Sequence, residues 1–262
     1  MSATHELVLD DFHYKKPTHF YYEPFSNANI YPRDLIERFF TSLKIATDFT
    51  SGYAQLLMVP KDRSINVSGD LPLMMGISTR SYPSYFDDFY WNLEDYPKIT
   101  KLQQDELKKV FTAVRDSSNN QIIFALRRFY KSNLRSEEED IINDLIIALE
   151  MLLSDSEKGE ITHKLALRLV ALLSKSKPDR YEPLTVFANV KKIYAYRSHI
   201  VHGAYKKKIN KEIQLTDNNT IPIVTLTNEY LRQLLIILLH EHAYLKPSAI
   251  DNLLLTGVPN HF

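Results

Sequence analysis

From Thr100 onward, apolar residues recur three and four positions apart in segment after segment, with short polar links between them. A stripe of that period covers one side of an α-helix and has to be buried against other helices. Thr100 to Arg115 is the first such segment. Asn119 to Lys131 follows, with Ile122, Ile123, Leu126 and Phe129 on its stripe, and residues 116–120 between them are a kink or a loop. Ser136-Glu137-Glu138-Glu139 has the capping-box arrangement, with acids in the first turn. It opens a helix striped by Ile141, Ile142, Leu145, Ile146, Leu149, Leu152 and Leu153. Glu160 to Ser174 turns Leu165, Leu169, Leu172 and Leu173 inward, and Pro178 and Pro183 mark a link. Leu184 to His202 comes next, with Val186, Phe187, Val190, Ile193, Tyr194, Tyr196 and Val201 apolar. A last long helix runs from about Asn228 to Tyr244 with Leu231, Leu234, Leu235, Leu238 and His242 on one face. Pro247 ends it, and the tail from Ser248 to Phe262 is a short helix and then loose. Residues 212–225 alternate around Thr216-Asp217-Asn218-Asn219 and read as a hairpin or a long loop. The expected fold is mainly α: an antiparallel bundle of about five helices with a hairpin insertion near 212–225.

Residues 1–98 have a different character and form an expected small α+β module ahead of the helical domain at 99–262. They are rich in Tyr, Phe and Pro. His19 to Tyr22 is a short strand between Pro17 and Pro24, and Tyr53 to Val59 is a second that stops at Pro60. Asp34 to Phe49 is helical, with Asp34 as N-cap. Asp62 to Asp70 is a loop, and Ser78 to Tyr96 is aromatic and irregular. Tyr82, Tyr85, Phe86, Phe89, Tyr90 and Trp91 are read as packing this module onto the helices rather than as a binding surface.

Composition removes several function classes. The 262 residues contain no cysteine, which excludes disulfides, thiolate catalysis and thiolate-bound metals and fits a reducing, cytoplasmic setting. Net charge is zero, so contact with nucleic acid needs a local basic patch. Met1 to Asp11 has no apolar run and is not read as a signal peptide. Leu234 to Leu239, the longest apolar run, is too short to span a bilayer, so no membrane contact is expected. With six glycines there is no glycine-rich phosphate loop. His240 and His242 are two apart on a helix and point to different sides, so no metal site and no cofactor are expected.

The chemically promising stretch is Tyr194-Ala195-Tyr196-Arg197-Ser198-His199-Ile200-Val201-His202-Gly203, where an arginine and two histidines crowd a helix end that closes on glycine. The carbonyl end of a helix favours positive charge, which biases His202 towards the imidazolium of a general acid or phosphate ligand. Arg197 and His202 are five positions apart, roughly 140° around an ideal helix. Their Cβ atoms do not share a face, whereas those of Ser198 and His202 do. The two converge through the length of the arginine and a frayed helix end, or else face one substrate from two subunits. By itself the pair is better read as a basic helix end whose histidines cap carbonyls.

From about residue 120 to residue 245 the chain resembles the HEPN superfamily and, within it, the Apea-like branch. The matching blocks are Ala125-Leu126-Arg127-Arg128-Phe129, then Ala148 to Leu153, then Glu160 to Leu169, and finally Ile193 to Gly203, in that order. The resemblance implies a bundle that dimerises so that two motif helices meet. It implies a metal-independent endoribonuclease with Arg197 and His202 as the catalytic pair, in a defence or toxin setting with an inhibitory or trigger protein as further partner. Ser198 stands where other branches carry a polar asparagine or aspartate. The alternative is a non-catalytic HEPN module that binds RNA or a protein partner.

Glu150 interrupts the apolar stripe of its helix and either orients Arg197 or His202 or belongs to a buried network. Arg168 is its partner or a second phosphate ligand, and His199 is peripheral. Lys191, Lys192, Lys206, Lys207 and Lys208 flank the motif and either track an RNA backbone or form a solvated face.

Overall fold

The computed structural model describes residues 7–10, 12, 28–58, 75–89, 98–155, 159–201, 210–216 and 219–256. Helix α1 (Arg33–Thr47) is followed by strands β1 (Tyr53–Met58) and β2 (Met75–Ser81), an antiparallel pair with Leu56 opposite Ile77. Then come α2 (Lys101–Asp116), α3 (Asn120–Leu134), α4 (Glu138–Leu153), α5 (Ile161–Ser176) and α6 (Pro183–Val201). Strands β3 (Glu212–Thr216) and β4 (Asn219–Pro222) form the expected hairpin, with Ile213 opposite Ile221. Helix α7 (Ile223–His240) leads through a 3-10 turn at His242–Leu245 to α8 (Pro247–Thr256). The mainly helical architecture read from the sequence is the one observed.

The helix starts show both agreement and correction. Thr100 caps α2 with a full capping box, exchanging hydrogen bonds with Gln103. Residues 117–119 separate α2 from α3, and the Asn119 side-chain Oδ1 accepts from the Gln121 and Ile122 amides. We expect Asn119→Ala to lower the unfolding free energy by about 1 kcal/mol in urea titrations, because two amides lose their acceptor. Ser136 does not cap α4: its hydroxyl is 2.7 Å from that of Ser84, and the N-cap is Glu137, with no side-chain bond. The acids Glu138, Glu139 and Asp140 still occupy the first turn, where the helix dipole favours them. Asp34 is not an N-cap either, since α1 begins at Arg33. Its carboxylate takes hydrogen bonds from Arg38 and Arg127 instead. Helix α7 starts five residues earlier than the sequence pattern shows, directly after Pro222, and Pro247 opens α8 rather than ending the helix before it.

Helix α7 is the hub. It packs against α1, α2, α3, α4, α5 and α6, and Leu231, Leu234, Leu235 and Leu238 are wholly buried. A helix apolar on most of its circumference has to sit inside others. Although α1 comes from the N-terminal stretch, Ile45 joins the same core as α7, and the Arg232 guanidinium of α7 donates to the Ile45 carbonyl. A second cluster, Tyr31, Ile36, Tyr53 and Leu56, seats β1 on α1. Between α3 and α4 the buried Asp144 is clamped by Arg128 at 2.6 Å and Arg135 at 3.2 Å.

Strand β2 corrects the reading of Ser78 onward as irregular. Gly76 makes its close pairing possible, since a Cβ there would collide with the Leu56 carbonyl. Tyr82 and Tyr85 both contact the Phe86 ring. The side chain of Phe89, the residues Tyr90 and Trp91, the expected strand at 19–22 and the loop at 62–70 lie outside the described residues.

Glu37 of α1 supplies a pH test. Burial is the main influence on its carboxyl and lifts its pKa, while Arg33 works in the other direction. A folded-state pKa above the unfolded one means that the folded state holds the extra proton. Stability contributed by this group is therefore present at low pH and falls as pH rises through the raised value. Glu37→Gln removes that slope. Melting curves of wild type and variant should converge on acidification and separate by about 0.5 kcal/mol towards neutral pH, with the variant higher. A separation that grows on acidification would reverse the sign.

Candidate functional site

Helix α6 carries the motif, and its start is well fixed. The Glu182 carboxylate accepts from the amides of Leu184 at 2.9 Å and Thr185 at 2.5 Å, and Pro183 takes the first helical position, where its missing N–H costs nothing. Val186, Val190 and Ile193 are buried in the core. The buried Asn189 amide donates to the Tyr230 hydroxyl of α7 at 3.3 Å. These contacts fix the rotation of α6 about its axis, and so decide what each side chain of the motif meets.

The two motif tyrosines leave α6 on opposite sides and reach opposite ends of α4. Tyr196 donates at 3.4 Å to Glu138, at the first turn of α4, and Lys211 reaches the same carboxylate at 2.6 Å from the approach to β3. Tyr194 points the other way, towards Glu150 in the last turn of α4. It is 9% exposed. Burial raises the pKa of its phenol, the Glu150 charge raises it further, and the Arg197 charge opposes both. The phenol is therefore neutral and a hydrogen-bond donor at every physiological pH.

Arg197 lies one turn beyond Tyr194 on the same face. It is half-buried, and its Nε is buried with no hydrogen-bond partner. The Tyr194 hydroxyl is likewise buried, beside the Glu150 carboxylate but without a well-aligned hydrogen bond to it. The inner edge of the guanidinium thus lies in the protein while the residue as a whole keeps access to solvent. A guanidinium so placed can present its terminal nitrogens to a phosphate as a bidentate fork.

Of the residues singled out in the sequence, Glu150 and Arg197 come together around Tyr194. Ser198 is exposed and His199 half-buried on the same last turns. Lys191 and Lys192 are exposed on α6, with the Lys191 ammonium 5.5 Å from the centre of the Phe187 ring. His202, Lys206, Lys207 and Lys208 lie outside the described residues.

Arg168 is elsewhere, and its expected pairing with Glu150 is corrected. It is 4% exposed on α5, and donates from Nε to Asp251 of α8 at 2.7 Å, from Nη1 to the Leu153 carbonyl at 2.8 Å, and from Nη2 to Asp155 and Asp251, each at 2.7 Å. Asp251 above all keeps it protonated, against the effect of burial. Its donors are committed to the fold and are not offered to a phosphate.

A cavity of about 580 Å³ lies at the other end of α7, between Lys108, Lys109 and Asp116 of α2 and His240 and His242. The Nδ1 of His240 is 2.7 Å from the Ile236 carbonyl. Among the described residues no group of three or more His, Asp or Glu side chains assembles that could hold a metal ion, and no helix is long and apolar enough to cross a membrane.

The residue that sequence reasoning missed is Tyr194. In the sequence it belongs to the apolar stripe, because tyrosines on a buried face mostly pack. The available signal was its position three residues before Arg197, which puts a hydroxyl beside the guanidinium.

No known family, curated protein or solved structure matches this chain.

Proposed function

We propose that this chain is a metal-independent endoribonuclease of HEPN type, which cuts RNA by transesterification through the 2′-hydroxyl. The observation that carries the reading is Arg197: a half-buried guanidinium with an unpartnered inner nitrogen, held on the last described turns of α6 beside Glu150 and Tyr194. Arg33 and Arg232 share the buried, unpartnered Nε, but Glu37 lies 3.7 Å from the first and Asp48 3.8 Å from the second, whereas Arg197 has no carboxylate within ion-pair distance among the described residues. An arginine with donors in reserve suits a ligand.

The chemistry needs no metal. A base removes the 2′-hydroxyl proton, the 2′-oxygen attacks the adjacent phosphorus, and an acid protonates the departing 5′-oxygen. Arg197 stabilises the charge on the phosphorane oxygens, and His202 moves the protons. Two copies of α6 meeting along the face of Leu184, Ala188, Ala195 and Ser198, all exposed, would supply two histidines, one as base and one as acid. Leu184 is 77% exposed there. Lys191 and Lys192 on the same helix suit the RNA backbone, with a salt-dependent contribution to affinity. A role in defence or as a toxin, under an inhibitory or trigger protein, follows from the resemblance to the Apea-like branch.

The test is incubation of the purified chain with RNA in EDTA. Products should end in 2′,3′-cyclic phosphate and 5′-hydroxyl, and a single 2′-deoxy substitution at the cleaved position should stop the reaction. Cleavage that needs added magnesium, or that cuts the deoxy-substituted site, rejects the reading.

A further inference from the structure

Three polar groups near the end of α6 have matching and unused capacities. The Arg197 Nε–H is a donor without an acceptor, and the Tyr194 hydroxyl can accept from one group and donate to another. The Glu150 carboxylate only accepts when ionised, and it lies close enough for its charge to act on the phenol. Taken in order they form a chain in which every donor has an acceptor. The chain is open at its Arg197 end in the free protein, since the Nε–H has no hydrogen bond, while the hydroxyl lies beside the Glu150 carboxylate without a well-aligned bond to it. Orphaned donors cost about 1–3 kcal/mol each when buried, and what sets Arg197 apart from Arg33, whose Nε is also unpartnered, is that Arg33 has Glu37 at 3.7 Å while Arg197 has no ion pair among the described residues.

We propose that Tyr194 is a positioning residue: when an anionic phosphate oxygen docks on the outer edge of the Arg197 guanidinium, the Tyr194 hydroxyl accepts from Nε and donates to Glu150, locking the guanidinium in plane. The proposal deepens the ribonuclease reading and rests on it for its catalytic consequence. Catalytic hydrogen bonds are commonly long in the free enzyme and tighten in the complex. The relay aligns Arg197 without touching the reacting atoms. Its effect therefore falls on the chemical step rather than on binding, which the exposed lysines and the outer guanidinium edge maintain. Tyr194→Phe is nearly isosteric and removes a buried hydroxyl that makes no well-aligned hydrogen bond in the free protein, so the fold is retained.

The experiment uses the full chain and two readouts. In the first, RNA cleavage by Tyr194→Phe should show kcat reduced by about 100-fold with KM within about 3-fold of wild type. Glu150→Gln, which keeps an acceptor and loses the charge, should fall between the two. In the second, the Arg197 Nε–Hε signal in nitrogen-15 spectra, assigned with Arg197→Lys, should move downfield on adding an uncleavable oligodeoxynucleotide to wild type, and should not do so in Tyr194→Phe. Unchanged kcat in Tyr194→Phe, or a downfield shift that survives loss of the hydroxyl, overturns the proposal. Wild type that shows the Tyr194-dependent shift and cuts no RNA upholds the relay and overturns the ribonuclease reading, so the two fail separately.

Discussion

Arg197→Met should sharply reduce the RNA cleavage proposed for this chain and leave the protein at least as stable as wild type. The two halves of this result have one cause. In the free protein the Arg197 Nε is buried without a partner, so the fold carries the desolvation of that group and gains no hydrogen bond from it. Methionine keeps an unbranched apolar stem against the neighbouring side chains and removes the orphan. The unfolding free energy should change by less than about 1 kcal/mol and tend upward. Activity should fall by about 100- to 1000-fold, the usual cost of deleting one electrostatic stabiliser of a developing oxyanion. His202→Ala should match it in activity, since proton transfer and charge stabilisation are both required. The checks are urea titration and initial rates on one RNA substrate. An Arg197→Met variant that unfolds early and still cleaves would reverse the assignment, making Arg197 a structural residue and placing the activity elsewhere.

Arg168→Met should behave in the opposite way, with a loss of stability of about 3 kcal/mol. Four hydrogen bonds link this guanidinium to Leu153, Asp155 and Asp251, and the substitution leaves the Leu153 carbonyl and Asp251 without this donor, while Asp155 keeps Lys164 at 3.4 Å. Breaking a buried pair by removing one partner costs about 3–5 kcal/mol, and the lower figure applies because Asp251 remains 45% exposed and can recover water. The urea midpoint should drop accordingly, and α8 should become the first segment to exchange its amide protons, since Asp251 is its charged anchor on α5. A loss under about 1 kcal/mol would mean that water replaces the guanidinium without difficulty. The contrast between the two arginines is useful because they are alike in sequence: each is a basic residue on an apolar-striped helix.

Much of the bundle is legible from the sequence because burial imposes its period. The stripe from Ile141 to Leu153 and the leucines of α7 define their helices without outside help, and the alternation around Thr216 to Asn219 gives the β3–β4 hairpin. Other features depend on partners far away in the chain. Asp34 and Ser136 have the composition of caps, but Arg127 and Ser84 claim their side chains across distances that local pattern does not register. Strand β2, with the sequence MGISTRS, has little alternation and is a strand because β1 lies beside it. The first turn of α7 reads as loop because Ile-Val-Thr-Leu-Thr carries β-branched residues, yet packing against the core overrides that preference. At the site, Arg197 and Glu150 are visible as polar residues in apolar surroundings. Arg168 gives the same signal for a different reason, and only the position of Asp251, 83 residues away, separates the two. Tyr194 is hidden by its own chemistry, since a tyrosine on a buried face announces its ring and not its hydroxyl.

The central position of α7 has a consequence for how the chain is made. Helices α1 to α6 leave the ribosome before the element that seals all of them, because α7 occupies residues 223–240. Until it emerges, the sides of Leu145 and Leu172 that belong to the finished core face solvent, and long-range contacts wait on a segment synthesised late. The nascent protein is therefore a string of sticky, unclosed helices for most of its synthesis, and it is then that chaperones and proteases have their best access to it.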